Sequence, residues 1–247
     1  MERTQVRPNA SPRTAVVWEA LTAELDRQGG RELAVVDVGG GTGGFAVPLA
    51  RAGHRVTVVD PSPDALAALT RRAVDAGVPD RVTAVQGDGD RLADLVPAGA
   101  ADLVLCHSLL EVVDEPGEVL RAVAGALRPG GAASVLVASQ AHAVLARAMG
   151  GHLDAAAAVL DDPAARSGPA DTLRRRFDAA TVAALLTSAD LVLEEIHGVR
   201  VLADLVPAAV ADADPGTLLA LEARLSTRPP YRDIAAQLHL FARLSAR

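Results

Sequence analysis

The chain has 247 residues, of which 50% are apolar and 22% charged, so it is long enough to bury one sizeable core. Its net charge of −7 argues against broad electrostatic capture of nucleic acid, although a local patch of arginines, which replace lysine throughout, can still bind it. The single cysteine, Cys106, excludes an intramolecular disulfide and a thiolate-rich zinc site.

Signals for export or membrane insertion are not found in the sequence. No run of about 18 apolar residues predicts a membrane span. The first residues, MERTQVRPNASPR, lack the apolar stretch of a secretory signal. We therefore expect a cytoplasmic protein without membrane contact.

Short apolar runs alternate with amphipathic segments in the first part of the chain. Continuous runs rich in Val and Leu fit strands that are buried on both faces, and the segments between them have helical periodicity. This alternation predicts right-handed βαβ crossovers and a parallel sheet. The predicted strands are 33–38, 55–60, 81–86, 101–106 and 132–138, and the predicted helices are 44–52, 63–76, 91–96 and 117–127.

Residues 140–176 break this alternation. They hold an Ala-rich helical piece and a Pro/Gly-containing loop that ends in three arginines. We expect this segment to be a cap over the active-site face of one domain that spans residues 1–247. After it we predict a helix at about 178–187 and apolar runs at 191–196 and 199–205, the second of which places Arg200 on a strand.

The last predicted strand is residues 237–244. Two local signals refine the prediction. ALRPGG (126–131) indicates a helix end and a turn, and Pro48 has to lie within or just after the first turn of its helix. The expected fold class is α/β, a Rossmann-like, mostly parallel seven-stranded sheet with helices on both faces and an antiparallel last strand.

The segment DVGGGTGG, Asp37 to Gly44, follows a predicted buried strand and opens a predicted helix. Glycines at such a place let the backbone approach a ligand that lies at the helix N-terminus. The GxGxxG match is weak on its own, because Gly39, Gly41 and Gly44 would suit a dinucleotide equally well.

Three further features favour S-adenosylmethionine as the ligand of this loop. Asp37, two residues before the first glycine, can meet the ammonium of a methionine group, which a dinucleotide lacks. Asp60 ends the second predicted strand, where it can accept both ribose hydroxyls, and ALRPGG before the fifth strand is typical of methyltransferases. The alternatives are that the glycines only form a tight turn and that Asp60 only caps the helix after Pro61-Ser62-Pro63.

Two other strand ends carry candidate site residues. After the third strand, in GDGD (87–90), Asp88 can accept a hydrogen bond from an adenine amino group and the Gly89 backbone can meet the ring; the alternative is an acidic turn. His107 and Ser108 emerge from the fourth strand at the carboxyl edge of the sheet, where ligands of open α/β folds bind. We favour a functional role for His107 over a structural one. The histidines show no metal-ligand spacing, which predicts no metal site.

From Ser11 to Leu244 the chain resembles the bacterial methyltransferases that esterify 5-carboxymethoxyuridine at the tRNA wobble position. The motifs that carry this resemblance occur in the order SPRTAVVWEAL, DVGGGTG, GHRVTVVD, CHSLLEVVDEPGEVL, ALRPGG, GVRVLADL and PPYRDIAAQLHLFAR. The resemblance implies that the cofactor contacts Arg13, Gly39, Gly40, Asp60, Gly89, Asp90 and His107. It also implies that Arg200, in GVRV, holds the carboxylate of the methyl acceptor.

The predicted site combines both lines of reasoning. Its catalytic residues are His107 and Arg200. Its cofactor-binding residues are Arg13, Asp37, Gly39, Gly40, Gly41, Gly43, Asp60, Pro61, Asp88, Gly89, Asp90 and His107. For Arg200, a planar guanidinium can grip a carboxylate through two parallel hydrogen bonds, and the alternative is a surface ion pair with Asp204.

Three functions are compatible with these residues. The first is O-methylation of a carboxylate, on tRNA or on a small metabolite. The second is N- or O-methylation of a natural product, where His107 or His142 would take the proton of a neutral acceptor. The third is cofactor binding without catalysis, acting through a partner. The oligomeric state is left open.

Two departures from the resembled family bear on the acceptor. The family shows an aromatic pair and an asparagine after the fifth strand, whereas this chain has Ala138-Ser139-Gln140. The family's cap is rich in lysine, whereas residues 154–162 here are rich in Ala and Asp. Both changes remove features that bind RNA, namely a stacking platform and positive charge.

Overall fold

One seven-stranded sheet organises residues 13–166, 168 and 171–245, which are the residues that the computed structural model describes. The strand order is β3-β2-β1-β4-β5-β7-β6. The strands are β1 Ala34–Val38, β2 Arg55–Asp60, β3 Val82–Gln86, β4 Ala101–His107, β5 Leu127–Ala138, β6 Leu191–Val199 and β7 Gln237–Leu244. Strands β1 to β5 pair in parallel, and β7 is antiparallel to both of its neighbours. The predicted fold class, including the antiparallel last strand, is confirmed.

Helices cover both faces of this sheet. In the described part of the chain they are α1 Ala15–Arg27, α2 Ala46–Arg51, α3 Pro63–Asp75, α4 Leu92–Leu95, α5 Pro116–Ala126, α6 Gln140–Met149, α7 Leu153–Asp161, α8 Ala179–Ser188, α9 Ala208–Ala213 and α10 Pro215–Ser226. Helices α1, α2 and α3 pack on one face of the sheet, and α4, α5 and α8 pack on the other. No helix within the described ranges is long and apolar enough to cross a membrane.

The central strands are Val- and Leu-rich because both of their faces are covered. In β1, Val35 belongs to the core shared with α1, α2 and α3, whereas Val36 and Val38 belong to the core shared with α4, α5 and α8. Strand β4 is buried from Ala101 to Cys106, and the thiol of Cys106 is part of the core. Pro48 is the third residue of α2, within its first turn, which also agrees with the prediction.

Two predicted boundaries are wrong. The RPGG segment is not a turn between α5 and the next strand, because β5 already begins at Leu127. The segment pairs irregularly with β4, with a register shift between Ala101 and Leu103, and Gly130 has a φ of 74°. The strand predicted at 199–205 does not form either: β6 ends at Val199 and the chain continues in bends and turns.

Helix α10 explains why the chain turns after β6. Its Glu222 is fully buried and accepts hydrogen bonds from the backbone N–H groups of Val201, Leu202 and Ala203 at 2.8, 2.8 and 2.6 Å. The carboxylate therefore satisfies three backbone donors that a strand would have paired with a neighbour. Helices α1, α9 and α10 were not predicted.

The segment between β5 and α8 forms a small layer of its own. Helices α6 and α7 pack around Ala143, Val159 and Ala165. Two backbone hydrogen bonds tie its last part to the end of β5, from Gln140 to Phe177 at 3.0 Å and from Phe177 to Ala138 at 2.9 Å. The segment therefore begins and ends at the carboxyl edge of the sheet.

Candidate functional site

The order of the strands defines where a ligand fits. From β1 the chain moves outward to β2 and β3 and then returns to place β4 on the other side of β1. Ligands of open α/β sheets bind at such a switch point, outside the carboxyl ends of the strands. Here Val38 and Cys106 are direct partners at these ends, so the glycine loop after β1 and His107 after Cys106 lie side by side.

Asp60, at the end of β2, ties this edge together. Its side chain is buried, with one oxygen accepting the N–H of Gly41 at 2.9 Å and the other accepting that of Ser62 at 2.9 Å. The cap of α3 is Ser62, whose hydroxyl accepts the N–H of Ala65, so Asp60 is not merely that helix's cap. Each carboxylate oxygen has two lone pairs, so one on each oxygen is left for a ribose hydroxyl.

The glycines of the loop are required for two different reasons. Gly39 and Gly41 have φ values of 72° and 54°, which most side chains disfavour. A Cβ on Gly40 would lie 2.5 Å from a carboxylate oxygen of Asp37. Because the loop backbone packs directly over this carboxylate, a larger residue would separate the loop from Asp37.

Gly43, rather than Gly44, is the glycine that sets the start of α2. Gly43 has a φ of 78°, and a Cβ there would overlap the side chain of Leu69 on α3. Gly44 is exposed, its φ is not positive, and a Cβ would meet nothing within 4 Å. The loop is thus wedged against α3 at Gly43.

Asp37 is the most strongly perturbed carboxyl of the loop. It is 3% exposed, and burial, with a contribution from nearby Asp60, raises the pKa of Asp37 to about 7. An adjacent cation would favour the carboxylate and lower this pKa. The ammonium of S-adenosylmethionine is such a cation, so the buried carboxyl under Gly40 fits this cofactor.

The third strand end contributes a narrow backbone platform. Gly89 is buried, and a Cβ there would lie 2.9 Å from a methyl group of Leu109 and 3.2 Å from one of Val38, so a larger residue would have to displace these side chains. The side chains of Asp88 and Asp90 on either side are exposed. The buried Gly89 therefore lies between two exposed carboxylates at this edge of the sheet.

Two predicted cofactor residues lie at the margin of this edge. Pro61 is exposed, and its carbonyl accepts a hydrogen bond from Gln86 at 3.3 Å. Arg13 is exposed, two residues before the first residue of α1. Helix α1 reaches the glycine loop through Trp18, whose ring stacks on Phe45 with centroids 5.0 Å apart.

His107 completes the site on the β4 side. Its ring lies edge-on to Phe45 with centroids 4.7 Å apart, and its Nε2 is 2.8 Å from the hydroxyl of Ser134 on β5. Its Nδ1 is shielded from solvent and has no hydrogen-bond partner among the described residues. Burial lowers the pKa of His107 to about 3, so the ring is neutral at pH 7. Ser108, the next residue, has a φ of 52°, a rare conformation that often marks a functional position.

Arg200 lies at the same edge of the sheet but follows β6 instead of lying on a strand. Its φ is 61°, and Glu222 holds the loop directly after it. Nε donates to Asp204 at 2.8 Å, and Nη2 contacts the same carboxylate oxygen. The ion pair that was the alternative for Arg200 therefore forms, and Nη1 is the part of the guanidinium that this pair leaves for an acceptor.

The three arginines before α8 do not form a free basic patch. Arg174 pairs with Asp114, and Arg175 donates to the backbone carbonyls of Leu110, Val113 and Asp114. Arg176 is mostly buried and pairs with Asp171. Arg174 and Arg175 thus hold the segment after α7 to the loop after β4, whereas Arg176 makes its contacts within that segment.

Sequence reasoning missed Glu111 at this edge. Its side chain is 1% exposed, and its Oε1 accepts the N–H of Ala138 at 2.6 Å, while Oε2 has no partner among the described residues. Burial raises the pKa of Glu111. The signal that was available is an acidic residue in the apolar run LLEVV.

Comparison with known proteins identifies the family. The sequence profile of a family described as a methyltransferase domain matches residues 36–135. The tRNA 5-carboxymethoxyuridine methyltransferase of Escherichia coli (strain K12) is 31% identical over 94% of this chain and 87% of its own length. The chain belongs to the S-adenosylmethionine-dependent methyltransferases. A second relative of this methyltransferase, ubiquinone biosynthesis O-methyltransferase of Xanthomonas axonopodis pv. citri (strain 306), is 32% identical over 73% of this chain and 70% of its own.

Solved structures show the same fold. An S-adenosylmethionine-dependent methyltransferase from Mesorhizobium loti is 22% identical and aligns with a TM-score of 0.61 over 94% of this chain and 100% of its own. Magnesium protoporphyrin IX methyltransferase from Synechocystis PCC 6803, solved with bound S-adenosylhomocysteine, is 17% identical and aligns with a TM-score of 0.62 over 93% and 82%. The cofactor of this methyltransferase is S-adenosylmethionine.

The two adjacent glycines give a matched test of the loop. Gly43→Ala should lower the free energy of unfolding by about 2–4 kcal/mol, because it combines a left-handed backbone with overlap on Leu69. Gly44→Ala should change it by less than about 0.5 kcal/mol. Urea unfolding without cofactor measures both. Equal effects of the two substitutions would contradict the wedge between the loop and α3.

Proposed function

We propose that this methyltransferase transfers the methyl group of S-adenosylmethionine to a carboxylate oxygen, forming a methyl ester as in 5-carboxymethoxyuridine of tRNA. The observation that carries the proposal is the relative that acts on this nucleoside, which matches 94% of the chain, together with the position of Arg200 at the carboxyl edge. The proposal includes the cap formed by residues 140–176 over the active-site face and the residue roles given in the next two paragraphs.

The cofactor half of the site would use the residues on β1, β2 and β3. Asp37 would face the methionine ammonium, Asp60 the ribose hydroxyls, and Gly89 with Asp88 the adenine. The loop from Gly39 to Gly43 would contact the cofactor through its backbone. Arg13, Pro61 and Asp90 would lie at its margin, and His107 would contact it from β4.

The acceptor half would lie toward β5, β7 and β6. Arg200 stands three strand spacings from His107, roughly 14 Å across the sheet, which is room for a nucleoside-sized acceptor between them. The cofactor supplies an electrophilic methyl group on sulfur. Since a carboxylate lone pair needs no base, the task of the protein is to hold that oxygen in line and to exclude water.

A second candidate is O-methylation of a small molecule, as the name of the ubiquinone-pathway relative describes for that protein. Two observations favour it: the arginines 174–176 are engaged within the chain, and no aromatic side chain stands at residues 138–140. For a hydroxyl acceptor a proton has to be removed, and the Nδ1 of His107, which has no partner among the described residues, would accept a hydrogen bond from that hydroxyl.

The acceptor can be identified from the chemistry of the product. Radiolabelled cofactor would be incubated with the protein and, in separate reactions, with fractionated tRNA and with small-molecule extract. A methyl ester releases its label as methanol in mild base, whereas an O- or N-methyl group on a hydroxyl or amine keeps it. Base-labile label in tRNA supports the first candidate, base-stable label in a small molecule supports the second, and no transfer to either overturns both.

Replacement of Asp60 tests the cofactor half. Asp60→Ala should weaken binding of S-adenosylhomocysteine by about 1.5–3 kcal/mol, because hydrogen bonds to a charged group are lost. Asp64→Ala, in the exposed first turn of α3, removes the same charge nearby and should leave the affinity unchanged. Calorimetric titration compares them. Equal affinity of both variants would remove Asp60 from the site.

Affinity for the product should depend on pH through Asp37. With a pKa of about 7 in the free protein, this carboxyl is mostly protonated at pH 6, and an adjacent ammonium favours the carboxylate, so binding releases a proton. Affinity should therefore rise by up to about tenfold per pH unit from pH 5.5 to 7 and level off above it. Asp37→Asn should abolish this rise. A slope that persists in the variant would assign it to another group.

Arg200 is tested by a substitution that keeps its charge. On a carboxylate acceptor, Arg200→Lys should lower kcat/KM at least about tenfold, because an ammonium cannot replace the planar guanidinium. Cofactor affinity should hardly move. Arg224→Lys, on the exposed surface of α10, is the control and should retain full activity. Full activity of Arg200→Lys would remove Arg200 from the acceptor site and leave its ion pair with Asp204 as its only assigned role.

A further inference from the structure

A series of polar side chains, the histidine chain, leads from His107 across one face of the sheet to the protein surface. Nε2 of His107 and Nε2 of His239 each lie 2.8 Å from the hydroxyl of Ser134. Nδ1 of His239 lies 3.3 Å from Nδ1 of His197, and Nε2 of His197 lies 3.3 Å from a carboxylate oxygen of Glu195. Three hydrogen-bond contacts, and a nitrogen–oxygen approach at the exposed end, thus connect five residues on four strands.

The register of the strands places these residues on one face. Leu136 of β5 is the direct partner of His107 on one side and of His239 on the other, and Ser134 lies two residues before it. His239 in turn is the direct partner of His197, and Glu195 lies two residues before His197 on β6. Since side chains alternate along a strand, all five point to the same side of the sheet.

The histidine chain runs from the buried interior of the protein to solvent. Ser134 and His239 are fully buried, whereas the side chain of Glu195 is 60% exposed. Burial lowers the pKa of His107, His239 and His197. For His197, the charge of Glu195 opposes this shift and that of Arg232 adds to it, and the net direction is downward. All three rings are therefore neutral at pH 7, and each has one N–H donor and one bare nitrogen.

Neutral rings in such a chain have to be oriented together. If one ring donates toward Glu195, every other member has to donate in the same direction, because otherwise two donors or two bare acceptors would face each other. A carboxylate at neutral pH has no hydrogen to donate and can only accept. Glu195, at the exposed end of the histidine chain, therefore sets the direction of its hydrogen bonds.

We infer that Ser134, His239, His197 and Glu195 are positioning residues that hold His107 in the tautomer with hydrogen on Nε2 and a bare Nδ1. His197 donates from Nε2 to Glu195, His239 donates from Nδ1 to His197, the Ser134 hydroxyl donates to His239, and Nε2–H of His107 donates to Ser134. The Nδ1 of His107, which has no partner among the described residues, is then a hydrogen-bond acceptor.

This orientation determines what His107 can do at the switch point. It accepts a hydrogen bond from an N–H or O–H group of a bound ligand and does not donate one. The inference deepens the proposed function, on which the role of His107 toward a ligand rests, but the tautomer itself is a property of the protein without ligand. A single substitution at the surface, in Glu195, should therefore change a buried ring at the other end of the chain.

Nitrogen NMR of the full-length protein tests this directly. The protein is labelled with ¹⁵N-histidine, the six histidines are assigned by single substitutions, and long-range ¹H–¹⁵N spectra at pH 7 report which ring nitrogen carries hydrogen. In the wild type, His107 and His197 should carry it on Nε2 and His239 on Nδ1. Hydrogen on Nδ1 of His107 would overturn the inference.

Two variants and one control complete the test. In Glu195→Gln the side-chain amide can donate to His197, so the constraint is lost and His107 should shift wholly or partly to the Nδ1–H form. Ser134→Ala should release His107 alone, leaving His239 and His197 as in the wild type. Glu194→Gln removes the same charge one residue away, where the carboxylate pairs with Arg243, and should change no tautomer.

The outcomes separate this inference from the proposed function. An unchanged His107 in Glu195→Gln, or the same change in Glu194→Gln, would overturn the directional chain while leaving methyl transfer untouched. If the wild-type protein shows the expected tautomers but transfers no methyl group, the proposed function is overturned and the inference about the histidine chain stands. Because Glu195 is exposed, its substitution is not expected to prevent folding.

Discussion

The carboxylate of Asp60 is the interaction on which the geometry of this edge depends. By accepting the N–H groups of Gly41 and Ser62, it joins the end of β2 to the loop after β1 and to the start of α3. That link fixes the loop in its left-handed conformation at Gly41 and holds the backbone of Gly40 over Asp37. The same oxygens would accept hydrogen bonds from the ribose hydroxyls, so the carboxylate that shapes the loop would also bind the cofactor.

The other half of the edge is built on a different principle. Between β5 and β6 the side chains are positioned by strand register and by buried acceptors instead of a glycine loop. Glu222 holds the turn after Arg200 through three backbone donors, and Ser134 links two histidines on strands to either side of it. Buried polar groups of this kind are costly unless every partner is present. Glu222 and Ser134 have these partners in the structure, and each joins separate elements at this edge.

How much could be predicted from the sequence depends on how local each feature is. The glycine loop and Asp60 were identified because their signals lie within a few residues of a strand end. Gly43 could not be separated from Gly44 without knowing that Leu69 of α3 packs on it. The end of β6 was misplaced because Glu222, about 20 residues further on, takes the backbone donors of the apolar run VRVLADL.

The histidine chain shows the same limit more clearly. His107 was recognised by its place after a strand, but its partners Ser134 and His239 are 27 and 132 residues away and meet it only through the pairing of β4, β5 and β7. No spacing along the chain predicts that juxtaposition. The aromatic contact between Trp18 and Phe45 was missed for the same reason, since it brings a helix before the sheet onto a loop within it.

A crystal structure with S-adenosylhomocysteine would show directly whether Asp60 organises one edge of the sheet to hold this cofactor. We expect both ribose hydroxyls within hydrogen-bonding distance of the Asp60 carboxylate and the methionine ammonium beside Asp37, with the Gly41 and Ser62 contacts retained. A ligand whose ribose lies on another residue, or whose binding breaks the contact between Asp60 and Gly41, would contradict it.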